Sequence, residues 1–462
     1  MKKQIKTQRK VIIGISASIV VLLGIYLGIS MYFSNHFYFG TKINNVDVSG
    51  KTVDEVEKQF SSAVNAYTLD LKGRNNLNQQ IKSSDIGLKY DAKGKIQDIK
   101  DEQNPFAWIV AFSQNKDFQD SKLVSYDKNK LKEHIDNLSY FKEENIVKPQ
   151  SAKLEYTNDG YKIVDEVYGS KVNKELLTKN IENAIINKKT NINLESAKCY
   201  ENPKYTAKSK EVSEAKNILD KYVSTKITYA VGDVTKVLDG STINKWLETD
   251  ENLNVNINND RVREFVWSLA RTYNTSGKTR NFSTSVGREV QVPGGDYGWV
   301  VNRYEESKDI ISSIKNGQTI TRKPKYAQTA VSHGANDIGN TYVEINLTRQ
   351  HMWFYKNGSL ITEGDVVTGN VSNNNGTPAG TYKLKYKEKN ATLKGENYST
   401  KVEFWMPFNG GIGIHDASWR DKFGGEIYKT GGSHGCINSP HRVASAIFNN
   451  IESGTPVVCY FE

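Results

Sequence analysis

The sequence predicts a mainly β C-terminal domain, preceded by a transmembrane helix and duplicated α+β modules. Three observations carry this expectation. Val11 to Phe33 is a run without charge or proline. A set of residues repeats at an offset of 129 positions. Beyond about residue 340 the pattern changes to short alternating β-runs. The chain has 462 residues, 37% of them hydrophobic and 25% charged, which supports several packed cores and excludes wholesale disorder. Three cysteines and no Cys-x-x-Cys rule out a disulfide framework or a zinc knuckle.

Residues 1–10 form a basic tail, because Lys2, Lys3, Lys6, Arg9 and Lys10 precede the first acidic residue, Asp47. They hold five of the net +10 charges, leaving +5 for the other 452 residues. So dispersed a surplus is no nucleic-acid footprint, which needs a clustered basic face. Residues 11–33 are the anchor, since 23 residues at ~1.5 Å each span a ~30 Å hydrocarbon layer. The basic flank orients the tail to the cytoplasm, and Tyr32, Phe33, Phe37, Tyr38 and Phe39 read as an outer aromatic belt. The segment exceeds a usual signal-peptide apolar region and lacks a small-x-small exit, which favours an uncleaved single-pass anchor in the cell membrane.

Residues 37–205 are assigned to a first module. It opens with a short strand (Ile43, Val46, Val48), a Ser-Gly turn and a helix started by Thr52 with Glu55 three residues on. Lys171 to Ile186 is an amphipathic stretch. Residues 206–322 are assigned to a second module. Tyr168, Gly169, Val172, Asn173, Ile181, Ile185, Asn187 and Thr190 fall on Tyr297, Gly298, Val301, Asn302, Ile310, Ile314, Asn316 and Thr319, so each copy reads as a strand, a Tyr-Gly turn, a helix and another strand. Residues 323–340 show no sustained period and are expected to be a linker.

In residues 341–462, Tyr342 to Leu347, Gln350 to Tyr355 and Ser359 to Thr368 form a meander with a hairpin signal at Asn357-Gly358. Gly380 to Tyr386 and Pro456 to Phe461 are further strands, and Pro440 to Ile451 is the clear helix.

Chemistry-bearing residues concentrate here. His415 lies in Gly411-Ile412-Gly413-Ile414-His415-Asp416, and Cys436 follows 21 positions later in Gly431-Gly432-Ser433-His434-Gly435-Cys436-Ile437-Asn438. A thiol of pKa near ~8.5 needs a base or cation beside it to become a nucleophile at neutral pH, and two histidines meet that need. The glycines permit sharp turns that aim successive N–H groups at one spot, as an oxyanion hole requires. Cys199 and Cys459 have no such surroundings and read as buried hydrophobes. His333 and His351 read as surface or packing residues. A metal site from His415, His434, Cys436 and His441 matches no usual zinc spacing. Sequence physics does not choose between His415 and His434 as base.

His415-Asp416, a spacer and Ser433-His434-Gly435-Cys436-Ile437-Asn438 resemble the signature of the YkuD-type L,D-transpeptidase catalytic domain. The resemblance extends from about Tyr342 to Glu462 through Gln350 to Tyr355, Gly376-Thr377-Pro378-x-Gly380 and Gly454-Thr455-Pro456-Val457. Upstream, Thr41 to Thr52 and Gly294-Gly295-Asp296-Tyr297-Gly298-Trp299 resemble the peptidoglycan-binding domain that often precedes it. The resemblance implies that Cys436 is the nucleophile and His415 the base, oriented by the main-chain carbonyl of Asp416. It implies that His434, Gly435 and Cys436 frame the oxyanion site, with Ser433, Asp416 and Asn438 in support. It further implies transfer between a donor tetrapeptide stem and an acceptor amine, giving 3→3 cross-links outside the cytoplasm, without metal or organic cofactor. Two rivals are a sortase-like cysteine transpeptidase, for which Arg442 is the near arginine, and a non-catalytic wall-binding scaffold.

Overall fold

The computed structural model describes residues 2–112, 116–119, 123–334, 336–395 and 398–462. Met1 of the expected tail and Ala335 of the expected linker lie outside the described residues. The chain divides into two compact units, Met1–Lys153 with Ile163–Ser209, and Leu154–Lys162 with Lys210–Glu462.

In the first unit the apolar run lies within a helix, Lys2–Asn35, and its aliphatic side chains are exposed along most of its length. The aromatic residues after it divide differently from the expected belt. Phe33 and Phe37 are fully buried, and Phe37 packs in a core with Ile43, Val48, Val56, Phe60 and Ile96. The expected strand around Ile43 is broken into a two-residue hairpin, Lys42–Ile43 against Val46–Asp47, because Asn44 and Asn45 take φ of 49° and 62°. Asparagine tolerates that left-handed conformation, which matches the strand twist. Thr52 caps helix Val53–Asn65: its hydroxyl accepts from Glu55 N at 3.3 Å while the Glu55 carboxylate accepts from Thr52 N at 2.9 Å.

The repeat is a repeat of topology. In the first unit Thr68–Lys72 pairs antiparallel with Asn78–Lys82 and parallel with Asn191–Asn193. In the second, Lys226–Val231 pairs antiparallel with Val234–Leu238 and parallel with Thr319–Arg322. The helices before the parallel strands, Lys174–Ile186 and Arg303–Asn316, start at the repeated asparagines. Asn173 Oδ1 accepts from Leu176 N at 3.0 Å, and Asn302 Oδ1 from Glu305 N at 3.1 Å.

The C-terminal part of the second unit is two sheets around one core. A five-stranded sheet runs in the order Ser359–Asp365, His351–Lys356, Tyr342–Asn346, Pro456–Tyr460, Gly380–Lys383. A four-stranded sheet runs Glu388–Gly395, Tyr398–Asn409, Ile412–Asp416, Ile437–Ser439. Val343, Ile345, Phe354, Met406, Phe408, Ile414 and Ile437 fill the core with Val443, Ala444 and Ile447 of helix His441–Asn450. Asn357 and Gly358 both have positive φ, as the expected two-residue hairpin turn demands.

Residues 323–340 are pinned along much of their length, unlike a free linker. Tyr326–Gln328 pairs with Val300–Val301, and Ile338 is buried with Phe282, Val292, Tyr297, Val458 and Tyr460. Asp337 is buried against Arg280, its two oxygens accepting from Nε at 2.7 Å and Nη2 at 2.8 Å. Lack of periodicity hid this segment because its contacts come from one three-residue strand and from isolated residues such as Asp337 and Ile338. Asp337→Ala leaves a buried guanidinium unpaired and is expected to cost about 3–5 kcal/mol, whereas Asp337→Leu combined with Arg280→Met recovers most of that loss. Thermal and urea unfolding of the full chain check this, and a single variant as stable as wild type would contradict it.

Candidate active site

The site is built by a parallel strand pair. Ile412–Asp416 and Ile437–Ser439 run side by side with Ile414 opposite Ile437, His415 opposite Asn438 and Asp416 opposite Ser439. Side chains alternate across a strand, so His415 and Asn438 share one face, and Cys436, two residues before Asn438, projects to that face as well. Parallel neighbours need a crossover of a dozen or more residues. Residues 417–436, with the short helix Ile427–Gly431, are that crossover, and this accounts for the His-to-Cys spacing.

His415 is 3% exposed, and its Nδ1–H donates to the Asp416 carbonyl at 2.8 Å, which directs the Nε2 lone pair toward the cavity. Burial pushes its pKa below the ordinary 6.5; the Asp416 carbonyl and charge oppose the shift, and Arg420 adds to it. Cys436 is 9% exposed, and burial pushes its thiol above the ordinary range, against a pull from the Gly413 N–H. The thiol donates to the Gly411 carbonyl at 3.5 Å. With its amide turned to match donors to acceptors, Asn438 donates to His415 Nε2 at 3.2 Å and accepts from Arg420 Nε at 2.7 Å. At neutral pH the resting pair is therefore an uncharged imidazole and an uncharged thiol.

The turn before Cys436 is fixed by two hydroxyls. Ser433 Oγ donates to the Cys436 carbonyl at 2.6 Å and accepts from Gly435 N at 3.0 Å. Thr377 Oγ1 donates to the Gly435 carbonyl at 2.7 Å and accepts from Gly369 N at 3.0 Å. Gly435 has φ of +117°, a conformation costly for any side chain. Its N–H donates to Ser433 Oγ, which fixes the shape of the turn.

His434 is exposed at the rim. The Asp416 carboxylate is buried and accepts from Phe404 N on the neighbouring strand at 2.9 Å, so it braces the sheet. His415, Ser433, His434, Cys436 and Asn438 line one cavity of about 220 Å³, joined by Leu393, Thr400, Trp419, Arg420 and Gly432. Arg420 and Trp419 carry no motif that sequence reasoning could detect. Thr377 stood in a quoted loop without an assigned role.

Other sequence candidates lie elsewhere. His441 Nε2 is 2.7 Å from Glu403, His351 Nδ1 is 2.6 Å from Asp365, and His333 stacks on Trp299 at 3.7 Å. Cys199 and Cys459 are buried, with both thiols pushed up by desolvation. Among the described residues no group of three or more metal-ligating side chains occurs.

Residues 340–459 match the L,D-transpeptidase catalytic domain model (YkuD). Residues 79–193 and 205–322 match the "Putative peptidoglycan binding domain" model. A cysteine-to-serine mutant of Enterococcus faecium L,D-transpeptidase is 35% identical over 55% of this chain and 100% of its own, with a TM-score of 0.44. The chain belongs to the L,D-transpeptidase family. The catalytic domain of the E. faecium enzyme, solved by NMR, is 45% identical over 26% of this chain and 97% of its own, with a TM-score of 0.25. No curated protein matches the chain. This transpeptidase therefore couples a YkuD-like catalytic domain to upstream modules of the peptidoglycan-binding type, and peptidoglycan is its substrate class.

Two outcomes follow for the transpeptidase. Because His415 titrates below 6.5, kcat/KM is expected to stay level from neutral pH down past that value and to fall only as the imidazole protonates. An acid limb centred at or above 6.5 would show that the buried imidazole is not the base. His415→Ala is expected to lower acylation about 100-fold or more at pH 7 and to recover partly as alkali ionises Cys436, while His434→Ala stays within about tenfold of wild type. Stopped-flow acylation rates check both, and the reverse ranking would exchange the two roles.

Proposed function

We propose that the chain is a single-pass, membrane-anchored transpeptidase that works outside the cytoplasm and forms 3→3 peptidoglycan cross-links. His415 Nε2 takes the Cys436 proton as sulfur attacks the carbonyl of the third stem residue. The tetrahedral intermediate collapses to a thioester, and the proton passes to the amine of the departing terminal D-Ala. A side-chain amine of a neighbouring stem then attacks the thioester. His415 accepts its proton and returns one to the sulfur, so no metal or organic cofactor enters the balance.

The observation that carries this reading is that the imidazole, on one strand, and the thiol, on the residue that leads into its parallel neighbour, line one cavity, with the Asp416 carbonyl fixing the tautomer. The basic tail before an uncharged helical span supports the orientation, since cytoplasmic flanks collect lysine and arginine. The E. faecium catalytic domain has also been solved acylated by ertapenem. The family model matched by the upstream modules supports a wall-polymer-binding role for them, the alternative being a spacer that holds the catalytic domain off the membrane.

Intact mass after incubation with a disaccharide-tetrapeptide, or with ertapenem, tests the chemistry. Wild type is expected to gain a covalent adduct and Cys436→Ala none; an adduct on the variant would remove Cys436 from its role. Protease added outside intact cells is expected to digest everything beyond about residue 35, leaving a membrane-bound fragment. Release of a soluble form starting near Ser34 would instead make the helix a cleaved leader.

A further inference from the structure

The first unit carries a second apolar element beside its N-terminal helix. Residues 103–112 contain no charge and fold as two short helical turns, Pro105–Ala107 and Trp108–Ala111. Phe106, Ile109, Val110 and Phe112 are each between 52% and 69% exposed. Four large apolar side chains in one short segment form the kind of contiguous patch that soluble surfaces avoid.

The position of this segment against the helix identifies its partner. Tyr26 of the helix donates its hydroxyl to the Phe106 carbonyl at 2.5 Å, and its ring lies 5.8 Å from Trp108. Phe33 is 6.4 Å from Trp108, and Phe39 is 6.4 Å from Phe112. Tyr26 is seven residues inside the outer end of the apolar run, which ends at Phe33; that is about 10 Å along the axis. An element touching the helix there stands at the depth of the acyl chains. Ser30 and Phe33, on the last turns of the helix, are already covered by protein.

Several polar backbone groups of the segment are already paired, as groups that enter lipid must be. The Phe106 carbonyl is taken by Tyr26 and the Asn104 carbonyl by the Tyr38 hydroxyl and Ala107 N. Phe106 N donates to Asn104 Oδ1 at 3.0 Å. In turn the loop supplies an acceptor for the Tyr26 hydroxyl, which would otherwise face hydrocarbon alone.

We infer that residues 105–112 are a monotopic membrane contact: Phe106, Ile109, Val110 and Phe112 enter the outer leaflet beside the helix, about 5–10 Å deep as interfacial elements do. The inference rests on the helix being an uncleaved anchor. Its consequence is that the first module is seated on the bilayer by two elements, a helix and a wedge, which fixes its tilt.

The test uses the full chain carrying Cys436→Ala, so that added thiols alone are reactive, in vesicles of phosphatidylcholine and phosphatidylglycerol. Ile109→Cys and, separately, Leu22→Cys are labelled with an environment-sensitive fluorophore and challenged with acyl-chain spin-labelled lipid and with aqueous iodide. Both probes are expected to lose about half or more of their fluorescence to the lipid quencher and to resist iodide, as groups several ångströms below the headgroups would. Lipid quenching at Leu22 with iodide quenching at Ile109 would overturn the wedge and leave the anchor intact. Iodide quenching at both would overturn the anchor and the wedge with it.

Discussion

The parallel pairing of Ile412–Asp416 with Ile437–Ser439 is the constraint on which the catalytic end depends. It sets a crossover length, brings two residues distant in sequence onto one face, and commits the intervening side chains to the opposite one. Ile414 and Ile437 go to the core, where they pack with Met406 and Phe408. A slip of one residue in this ladder would exchange the faces, turning the imidazole and thiol into the hydrophobic core and the isoleucines toward the cavity. The core packing that stabilises the sheet therefore also enforces the chemistry.

The same burial creates a tension. A dry site strengthens every electrostatic interaction with a developing oxyanion, yet it disfavours both the thiolate and the imidazolium. The structure holds the two groups neutral and apart in purpose: the thiol rests on the Gly411 carbonyl, and Nε2 accepts from Asn438. In the mechanism proposed above, proton transfer accompanies attack, when the charge appears on substrate oxygen and not on an isolated sulfur. Arg420, which reaches Asn438 and the Gly431 carbonyl at 2.9 Å, ties this arrangement to the end of the crossover helix.

Much of this organisation was legible in the residues. The His–Cys constellation, the Thr52 capping box, the Asn357-Gly358 turn and the repeated Asn173 and Asn302 each act through local chemistry, which sequence displays. The illegible parts depend on long-range placement. Strand Tyr398–Asn409 pairs on both sides, and its register shifts between Pro407 and Asn409, which breaks its alternation. Thr377 matters through the carbonyl of Gly435, fifty-eight positions away. Phe33 and Phe37 looked like interfacial aromatics, because composition alone does not distinguish a membrane belt from the start of a core.

The glycine-rich run before Trp299 shows how a motif can be occupied by structure. Gly295 has φ of +84°, and a Cβ there would lie 2.0 Å from the Thr381 carbonyl oxygen. The close approach lets Tyr297 N donate to Thr381 O at 3.1 Å and Thr381 N to Gly294 O at 3.3 Å, which covers the outer strand Gly380–Lys383 of the five-stranded sheet. Asp296 adds a contact to Lys383 N at 3.1 Å and an ion pair with Lys385. An edge strand left open invites pairing with another chain, and this run closes it. In the second module the motif is thus committed to the catalytic domain.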